Sequence, residues 1–153
     1  MKAEQVNFFV NAATSVFQKE IDVKLTRANI RRKDSPTPGL PICIVIGVTG
    51  VMRGQVVYAI DEDFAMNIAG KMVPDTLPSE LKKLMASAVA EVGNMITGEA
   101  SVNFTGETGM VDITPPTVVT GSDMRFEVLK MPTVCLQMLS PLGMLEINIA
   151  LEE

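Results

Sequence analysis

Apolar residues recur with helical periodicity between Pro78 and Phe104. At about 100° per residue, positions three and four apart fall on one side of an α-helix, and this spacing is kept by Leu81, Leu84, Met85, Ala88, Val89, Val92, Met95 and Ile96. Pro78 suits a first helical turn because its missing N–H breaks no intrahelical hydrogen bond, and Ser79 and Glu80 favour the same end. The pattern predicts one long helix that begins at Pro78 and buries its apolar side.

The opposite side of this helix carries small residues, whereas a solvated helix face normally holds Lys, Glu, Arg and Gln. This small face comprises Ser87, Ala90, Gly93, Asn94, Thr97, Gly98 and Ser101. It includes two glycines, although a glycine inside a helix costs about 1 kcal/mol relative to alanine. Since small side chains allow another backbone to approach closely, we expect a partner to lie flat against this surface. The alternative is that a second helix of the same chain covers it.

Two polar residues, Glu91 and Asn94, lie on the rim of this small face. Their i, i+3 spacing places them about 60° apart on the helix, so the two side chains point in similar directions. The spacing alone is common by chance and also fits two partly exposed residues without a function. The same pair occurs as Glu4 and Asn7, but the bulky Phe8 follows where small residues would be required, so we interpret it as coincidence or a degenerate relic.

The remaining periodicities predict two further helices and a set of strands. Helical spacing of apolar residues covers residues 3–18 and 64–70. Strand-like patterns cover residues 21–30, 42–49, 55–60, 126–129, 133–139 and 144–151, and residues 112–119 are extended. Alternation predicts that the first strand is half buried, and an unbroken apolar run predicts that the second is central. Glycines and prolines place turns at residues 50–54 and 140–143 and a connection at 105–109.

Helix, strand and hairpin occur in both halves of the chain, with Cys43 and Cys135 at similar places ahead of the turns. This indicates a weak internal duplication. We predict an α+β fold in which a largely antiparallel sheet is covered on one face by helices. At 153 residues and 47% hydrophobic content, the chain is expected to form a single domain over residues 1–153.

The charge balance argues against one class of partner. A formal net charge of −5 disfavours nucleic acid, since binding to a phosphate backbone depends on clustered Lys and Arg. The first residues have no apolar signal-peptide core, and no run approaches the roughly 18 apolar residues of a membrane span. We therefore expect a cytoplasmic protein that does not bind a membrane.

The residue types exclude several kinds of active site. The chain has no histidine, which rules out a Ser-His triad, a histidine base and most zinc sites. Cys43 and Cys135 lie in apolar runs without a C-x-x-C pattern, which favours buried free thiols over a disulfide or metal site. The acids of residues 61–63 precede a helix, so capping is a better interpretation than a cation site. The sequence shows neither a nucleophile with an adjacent base nor a metal cage. We expect no cofactor of the chain's own.

A longer pattern on the long helix is more specific than the Glu-Asn pair, and it reads Ser87-x3-Glu91-x2-Asn94-x3-Gly98-x-Ala100. It resembles the signature of the CheC/CheX/FliY family of response-regulator phosphatases. The resemblance extends to Ile46-Gly-Val-Thr-Gly50 and to residues 112–121, so that it covers nearly the whole chain, and it implies the same fold. The length and the single complete signature are most similar to the CheX members.

The resemblance implies a substrate that brings its own active site. In that family the substrate is the aspartyl phosphate of a CheY-like receiver, which supplies Mg²⁺ and an acidic pocket. Asn94 would orient an attacking water, because alignment and charge neutralisation govern phosphoryl transfer. Glu91 would engage a receiver lysine and hold the two proteins in register. Close approach would be permitted by a partner-docking face that comprises Ser87, Ala90, Gly98, Ala100 and Ser101.

Two other interpretations remain open from the sequence. The same face could hold a receiver or a flagellar-switch component without hydrolysing anything, which would make the protein a non-catalytic adaptor. The resemblance also implies a homodimer, because CheX-like proteins are homodimers and exposed strand edges allow pairing between chains.

Overall fold

The computed structural model describes residues 1–105, 110–121 and 130–153. The helices in these residues are α1 (Ala3–Val16), α2 (Glu62–Met72) and α3 (Pro78–Thr105), and a π-helical turn over Phe17–Ile21 extends α1. α3 begins at Pro78 and spans the whole segment predicted as one long helix. No helix in the described part of the chain combines the length and the apolar character needed to cross a lipid bilayer.

The described strands form one sheet in which all paired neighbours are antiparallel. They are β1 (Thr26–Lys33), β2 (Ile42–Gly50), β3 (Arg53–Ile60), β4 (Val111–Ile113), β5 (Thr117–Thr120), β6 (Thr133–Ser140) and β7 (Gly143–Glu152). The order across the sheet is β1-β6-β7-β3-β2-β4, and β5 also pairs with β2. The predicted antiparallel sheet is confirmed, and β2 is central as predicted because it has neighbours on both edges.

The three helices pack on one face of the sheet and form the main core with it. Buried aromatic residues of the helices join this core, including Phe17 and Phe64, whose ring centroids are 5.8 Å apart. From the sheet, β2, β3 and β7 contribute Ile44, Tyr58 and Ile147, which are at most 2% exposed. The prediction that helices cover one face is therefore confirmed.

The opposite face of the sheet holds a smaller apolar cluster of Cys43, Val57 and Ala59. Two polar side chains on β7, Glu146 and Asn148, are also buried. They are satisfied by hydrogen bonds, because the Gly39 N–H donates to Glu146 Oε1 at 2.9 Å and Asn148 Nδ2 donates to the same oxygen at 2.9 Å. Cys43 and Cys135 are both buried and free, as predicted.

The first predicted strand is wrong in its start and in its burial. Ile21 still belongs to the π-helical turn, where Phe17 and Ile21 lie four positions apart and are both buried. Asp22 ends this turn in the left-handed conformation, with φ 57°, and β1 begins only at Thr26. Seven of the eight β1 residues are exposed rather than half of them, because β1 is the edge of the sheet beyond β6.

Both predicted hairpin turns are confirmed. In the β2–β3 hairpin, Gly54 has φ 142°, and a Cβ there would lie 1.9 Å from the carbonyl oxygen of Ala150 on β7, so only glycine fits. In the β6–β7 hairpin, the Ser140 hydroxyl donates to the carbonyl oxygen of Gly143 at 3.1 Å. The predicted strand at residues 126–129 and residues 106–109 of the predicted connection lie outside the described residues.

The arrangement of strands and helices agrees with the predicted internal duplication. The β3–β7 pair lies at the centre of this symmetry. Outward from it, the strand order β7-β6-β1 on one side of the sheet corresponds to the order β3-β2-β5 on the other side. An offset of 87 residues aligns α1 with α3, so that Glu4 and Asn7 match Glu91 and Asn94. The same offset pairs buried residues of α1 with buried residues of α3, namely Val6 with Gly93, Phe9 with Ile96, Ala13 with Ala100 and Phe17 with Phe104.

The acidic run before α2 caps the helix. Asp61 Oδ1 accepts a hydrogen bond from the Phe64 N–H at 2.7 Å, while Glu62 and Asp63 occupy the first turn. Within the described residues, no group of three or more His, Cys, Asp or Glu is placed to hold a metal ion. The capping interpretation is confirmed for Asp61.

We expect Asp61→Ala to lower the free energy of unfolding by about 1 kcal/mol, because the Phe64 N–H loses its acceptor at the start of α2. Asp61→Asn should preserve it to within about 0.5 kcal/mol, since asparagine caps as well as aspartate. Urea denaturation measures both changes, and Asp63→Ala is a control that removes an equal charge without a cap bond. Equal losses for Asp61→Asn and Asp61→Ala would contradict the capping role.

Candidate functional site

The candidate site lies on the exposed side of α3, opposite the sheet. At about 100° per residue, six residues of this side fall within roughly a quarter of the helix circumference. We call this set the α3 outer face, and it comprises Leu84, Ser87, Glu91, Asn94, Gly98 and Val102. None of the six is buried. No described element therefore covers the α3 outer face, although Gly93, Thr97 and Ser101 of the predicted small face are buried.

Glu91 and Asn94 occupy the middle of the α3 outer face. Glu91 is exposed and Asn94 is half-buried, and within the described residues neither side chain has a hydrogen bond or an ion pair. Each carries strong hydrogen-bonding groups. A carboxylate and an amide that the fold itself leaves unused are available to a second molecule.

The prediction of which small residues face outward is only partly correct. Ser87 is exposed, and Ala90 and Gly98 are half-buried at the surface. Ser101 is 8% exposed and Ala100 is 0% exposed, so neither lies on the open surface of α3. The assignment of Ser101 and Ala100 to the docking face is therefore wrong, and the same correction applies to two residues placed on the small face, Gly93 and Thr97, which are buried.

The apolar pattern also misplaced one residue, because Leu84 was expected on the buried side. It is 40% exposed and lies on the α3 outer face, as does Val102, which is 69% exposed. These two apolar side chains lie on either side of Glu91 and Asn94 along the helix. Single exposed apolar residues are normal on a protein surface, so these two do not by themselves mark a binding site.

The two glycines of α3 have different structural surroundings. A Cβ on Gly93 would lie 3.1 Å from Ile44 Cγ2 and 3.4 Å from Tyr58 Cδ2, so Gly93 allows the helix to lie directly on the sheet. A Cβ on Gly98 would have no atom of the described residues within 4 Å. Packing within the chain explains Gly93 but does not explain why Gly98 is a glycine.

The sequence did not single out Tyr58, which lies on β3 directly beneath the site. The ring is buried, and the hydroxyl is 2.8 Å from Thr97 Oγ1. Burial raises the pKa of the Tyr58 hydroxyl above its usual value, so it stays protonated. The available signal was that the only tyrosine of the chain interrupts an apolar strand, since a buried tyrosine hydroxyl needs a hydrogen-bond partner.

Among the described residues, no hydrogen bond joins a nucleophile on this face to an activating base. Burial and, to a smaller extent, the charge of Glu146 raise the pKa of Cys43 to about 11, so the thiol is protonated at neutral pH. Burial raises the pKa of Cys135 as well. What the outer face can supply is orientation, through one amide and one carboxylate.

Two sequence comparisons place these features among known proteins. The family model for chemotaxis phosphatase CheX matches residues 42–139, which is more than half of the chain. The CheY-P phosphatase CheX of Thermotoga maritima is 35% identical over 92 residues, which cover 58% of this chain and 59% of that protein. The match thus spans less than two thirds of the length of the Thermotoga protein.

Solved structures show the same fold. A CheX crystal structure from Desulfovibrio desulfuricans has a TM-score of 0.86 at 22% identity, covering 97% of this chain and 99% of that one. The CheX–CheY–BeF3–Mg²⁺ complex from Borrelia burgdorferi has a TM-score of 0.80 at 23% identity, with 99% and 100% coverage.

We expect alanine at the two glycines of α3 to have opposite effects on stability. Gly98→Ala should raise the free energy of unfolding by about 0.5–1 kcal/mol, because alanine favours the helix and nothing obstructs its methyl group. Gly93→Ala should lower it by about 1 kcal/mol, because overpacking against Ile44 outweighs the same gain. Urea denaturation of both variants checks this, and stabilisation by both would show that α3 is not held against the sheet at Gly93.

Proposed function

The chain belongs to the chemotaxis phosphatase CheX family, and on that premise we propose that it hydrolyses the aspartyl phosphate of a CheY-like receiver domain. The observation that carries the proposal is the pair Glu91 and Asn94, which are accessible and unpaired on the α3 outer face among the described residues. The residue types on this face could not catalyse hydrolysis by themselves. They are sufficient when the substrate protein supplies a metal ion and an acidic pocket of its own.

Asn94 is the proposed catalytic residue. Its carboxamide both donates and accepts hydrogen bonds, so it can orient a water for in-line attack on the phosphorus while it contacts the phosphoryl group. Phosphoryl transfer depends mainly on positioning and charge neutralisation, and a neutral amide adds no repulsion next to an anionic substrate. Aspartate at this position could not donate when ionised, and its charge would oppose the approach of the phosphate.

Glu91 is the proposed docking residue. It lies one turn before Asn94 on the same face, and its carboxylate has no partner among the described residues. A lysine of the receiver would pair with it in a charge-assisted hydrogen bond. Such a contact fixes the receiver along α3 and sets the angle at which the amide enters the acidic pocket.

Close approach depends on the small residues that do face outward. Ser87 and Gly98 lie on either side of the Glu-Asn pair along the helix, and Ala90 lies at its edge. Because space above Gly98 is open, the backbone of a partner could reach α3 there. This gives Gly98 the function that packing within the chain does not supply.

We propose that Mg²⁺ belongs to the receiver and that this chain brings no cofactor. The Borrelia relative was crystallised together with CheY, BeF3 and Mg²⁺, which supports that division. The proposed substrate also implies action in the cytoplasm. We further propose that residues 1–153 act as one domain, since all described strands join a single sheet.

The test is the decay of acyl phosphate on a CheY-like receiver with Mg²⁺ and a substoichiometric amount of this protein. We expect turnover by the wild type, and a loss of about a hundredfold in Asn94→Ala with receiver binding preserved, because the water loses its orienting group. Glu91→Ala should mainly weaken binding, by about tenfold, because one charge-assisted contact is lost.

Asn7→Ala is the matched control. It removes the equivalent amide from α1, where Asn11 stands at the position that matches Gly98, and it should leave the decay rate unchanged. Binding of the receiver without faster decay by the wild type would indicate an adaptor instead of a phosphatase. A decay rate that is equal for the wild type and Asn94→Ala would exclude Asn94 from catalysis.

We also propose a homodimer that forms through the edge strand β1. Along its outer edge β1 has no paired strand among the described residues, and Ile30 is 45% exposed there. Free strand edges pair readily with other chains. Because β1 also carries Arg27, Arg31 and Arg32, pairing of two copies should strengthen as salt screens these charges.

Sedimentation velocity tests this assembly. Ile30→Lys should convert the dimer to monomers by adding charge to the paired edge. Leu139→Lys is the control, since Leu139 is 46% exposed but lies on β6, which has neighbours on both edges. A monomeric wild type, or a dimer unaffected by Ile30→Lys, would contradict an interface at β1.

A further inference from the structure

A chain of hydrogen bonds runs from the sheet into the turn of α3 that bears Asn94. The Tyr58 hydroxyl lies 2.8 Å from Thr97 Oγ1, and Thr97 Oγ1 lies 2.8 Å from the carbonyl oxygen of Gly93. Ser101 Oγ donates to the carbonyl oxygen of Thr97 at 2.6 Å, in the next turn. Tyr58 and Thr97 are at most 1% exposed, so these bonds form away from solvent.

The direction of these bonds follows from the number of protons. A threonine hydroxyl has one proton, and in Thr97 it points to the carbonyl oxygen of Gly93. The Tyr58 hydroxyl must then donate to Thr97 Oγ1, and the raised pKa of Tyr58 keeps its proton in place. The sheet therefore holds α3 by a directed bond as well as by apolar contact.

The tyrosine itself is held firmly. Tyr58 pairs with Ile44 on β2 and with Ile147 on β7, so its strand is interior to the sheet. Gly93 rests on the Tyr58–Ile44 pair, where an added Cβ would lie 3.1 Å from Ile44 and 3.4 Å from Tyr58. Contact at Gly93 fixes the height of the helix above the sheet, and the bond to Thr97, four residues later, resists rotation of the helix about its axis.

The half of the fold that contains α1 has no counterpart of the hydrogen bond between Tyr58 and Thr97. At the offset of 87 residues, Gly93 matches Val6 and Thr97 matches Val10, whose side chain has no hydroxyl to bond a strand. The counterpart of Ser101 is Thr14, which donates to the carbonyl oxygen of Val10 at 2.8 Å. α1 shows that a helix at this place does not need a polar bond to the sheet for packing. The bond is present only beneath the helix with the complete signature.

We propose that Tyr58 is a positioning residue, which through Thr97 sets the rotation of α3 and thereby the direction of the Asn94 amide. This inference rests on the proposed function. At a side-chain radius of about 5–6 Å, a helix rotation of about 10° moves an outward group by about 1 Å. A displacement of that size can cost as much as about a hundredfold in rate.

The predicted signature is a lower kcat with an unchanged KM for the phosphorylated receiver. Tyr58→Phe removes one oxygen atom, keeps the ring beneath Gly93, and should reduce kcat about tenfold while KM changes less than about twofold. Thr97→Val should reproduce this effect, and Thr97→Ser, which keeps Oγ, should restore at least half of the wild-type kcat. The rotation would move Glu91 by a similar distance, but the flexible stem of a receiver lysine can follow its carboxylate, so KM should stay nearly constant.

Ile147→Val is the control for lost stability. It trims the residue that pairs with Tyr58 on β7 without altering any of the hydrogen bonds, and it should leave kcat unchanged at a temperature where every variant is folded. A wild-type kcat in Tyr58→Phe, or an equal loss in Ile147→Val, would overturn the positioning role while the proposed function stands. Absence of turnover by the wild type would instead overturn the proposed function, and the positioning role with it.

Discussion

At Gly93 the long helix α3 lies so close to the sheet that an added methyl group would come within 3.1 Å of Ile44. This contact fixes one side of α3 as the inner side, and the remainder of the helix follows from its period of 3.6 residues. Val89, Ile96 and Ala100 turn inward with Gly93. Glu91 and Asn94 turn outward, because they lie on the other side of the same turns.

The duplicated scaffold has been adapted differently in its two halves. Both halves place a helix over a hairpin and a further strand, and both helices carry the Glu-x-x-Asn spacing. Only α3 has a glycine against the sheet, a hydroxyl bond to Tyr58 and an open glycine on its outer face. The structure is thus symmetric in the elements that build the core and asymmetric in those that build a surface.

The proposed chemistry makes few demands on the residues of this chain. When the substrate brings a metal and an acidic pocket, the second protein must supply only an amide in the correct place and a contact that holds the partner. This explains how a chain without histidine, with protonated thiols, could act as a phosphatase. It also makes the rigidity of α3 part of the mechanism, because the amide is only as well placed as the helix that carries it.

The sequence alone determined the features that depend on neighbouring residues. Periodicity and Pro78 indicated the extent of α3, and glycine placement indicated both hairpin turns. The candidate site came from the longer signature around Glu91 and Asn94 and its family resemblance, because the spacing of this pair alone is common by chance. Small residues fit both a tight internal contact and an open surface, so only the tertiary structure decided how far α3 is rotated about its axis. In that rotation Gly93, Thr97 and Ser101 are buried. It also decided that β1 is an exposed edge, because the position of a strand in a sheet depends on distant partners such as β6. Tyr58 could not be assigned a role from the sequence, because its partner Thr97 lies 39 residues away and meets it only in the folded chain.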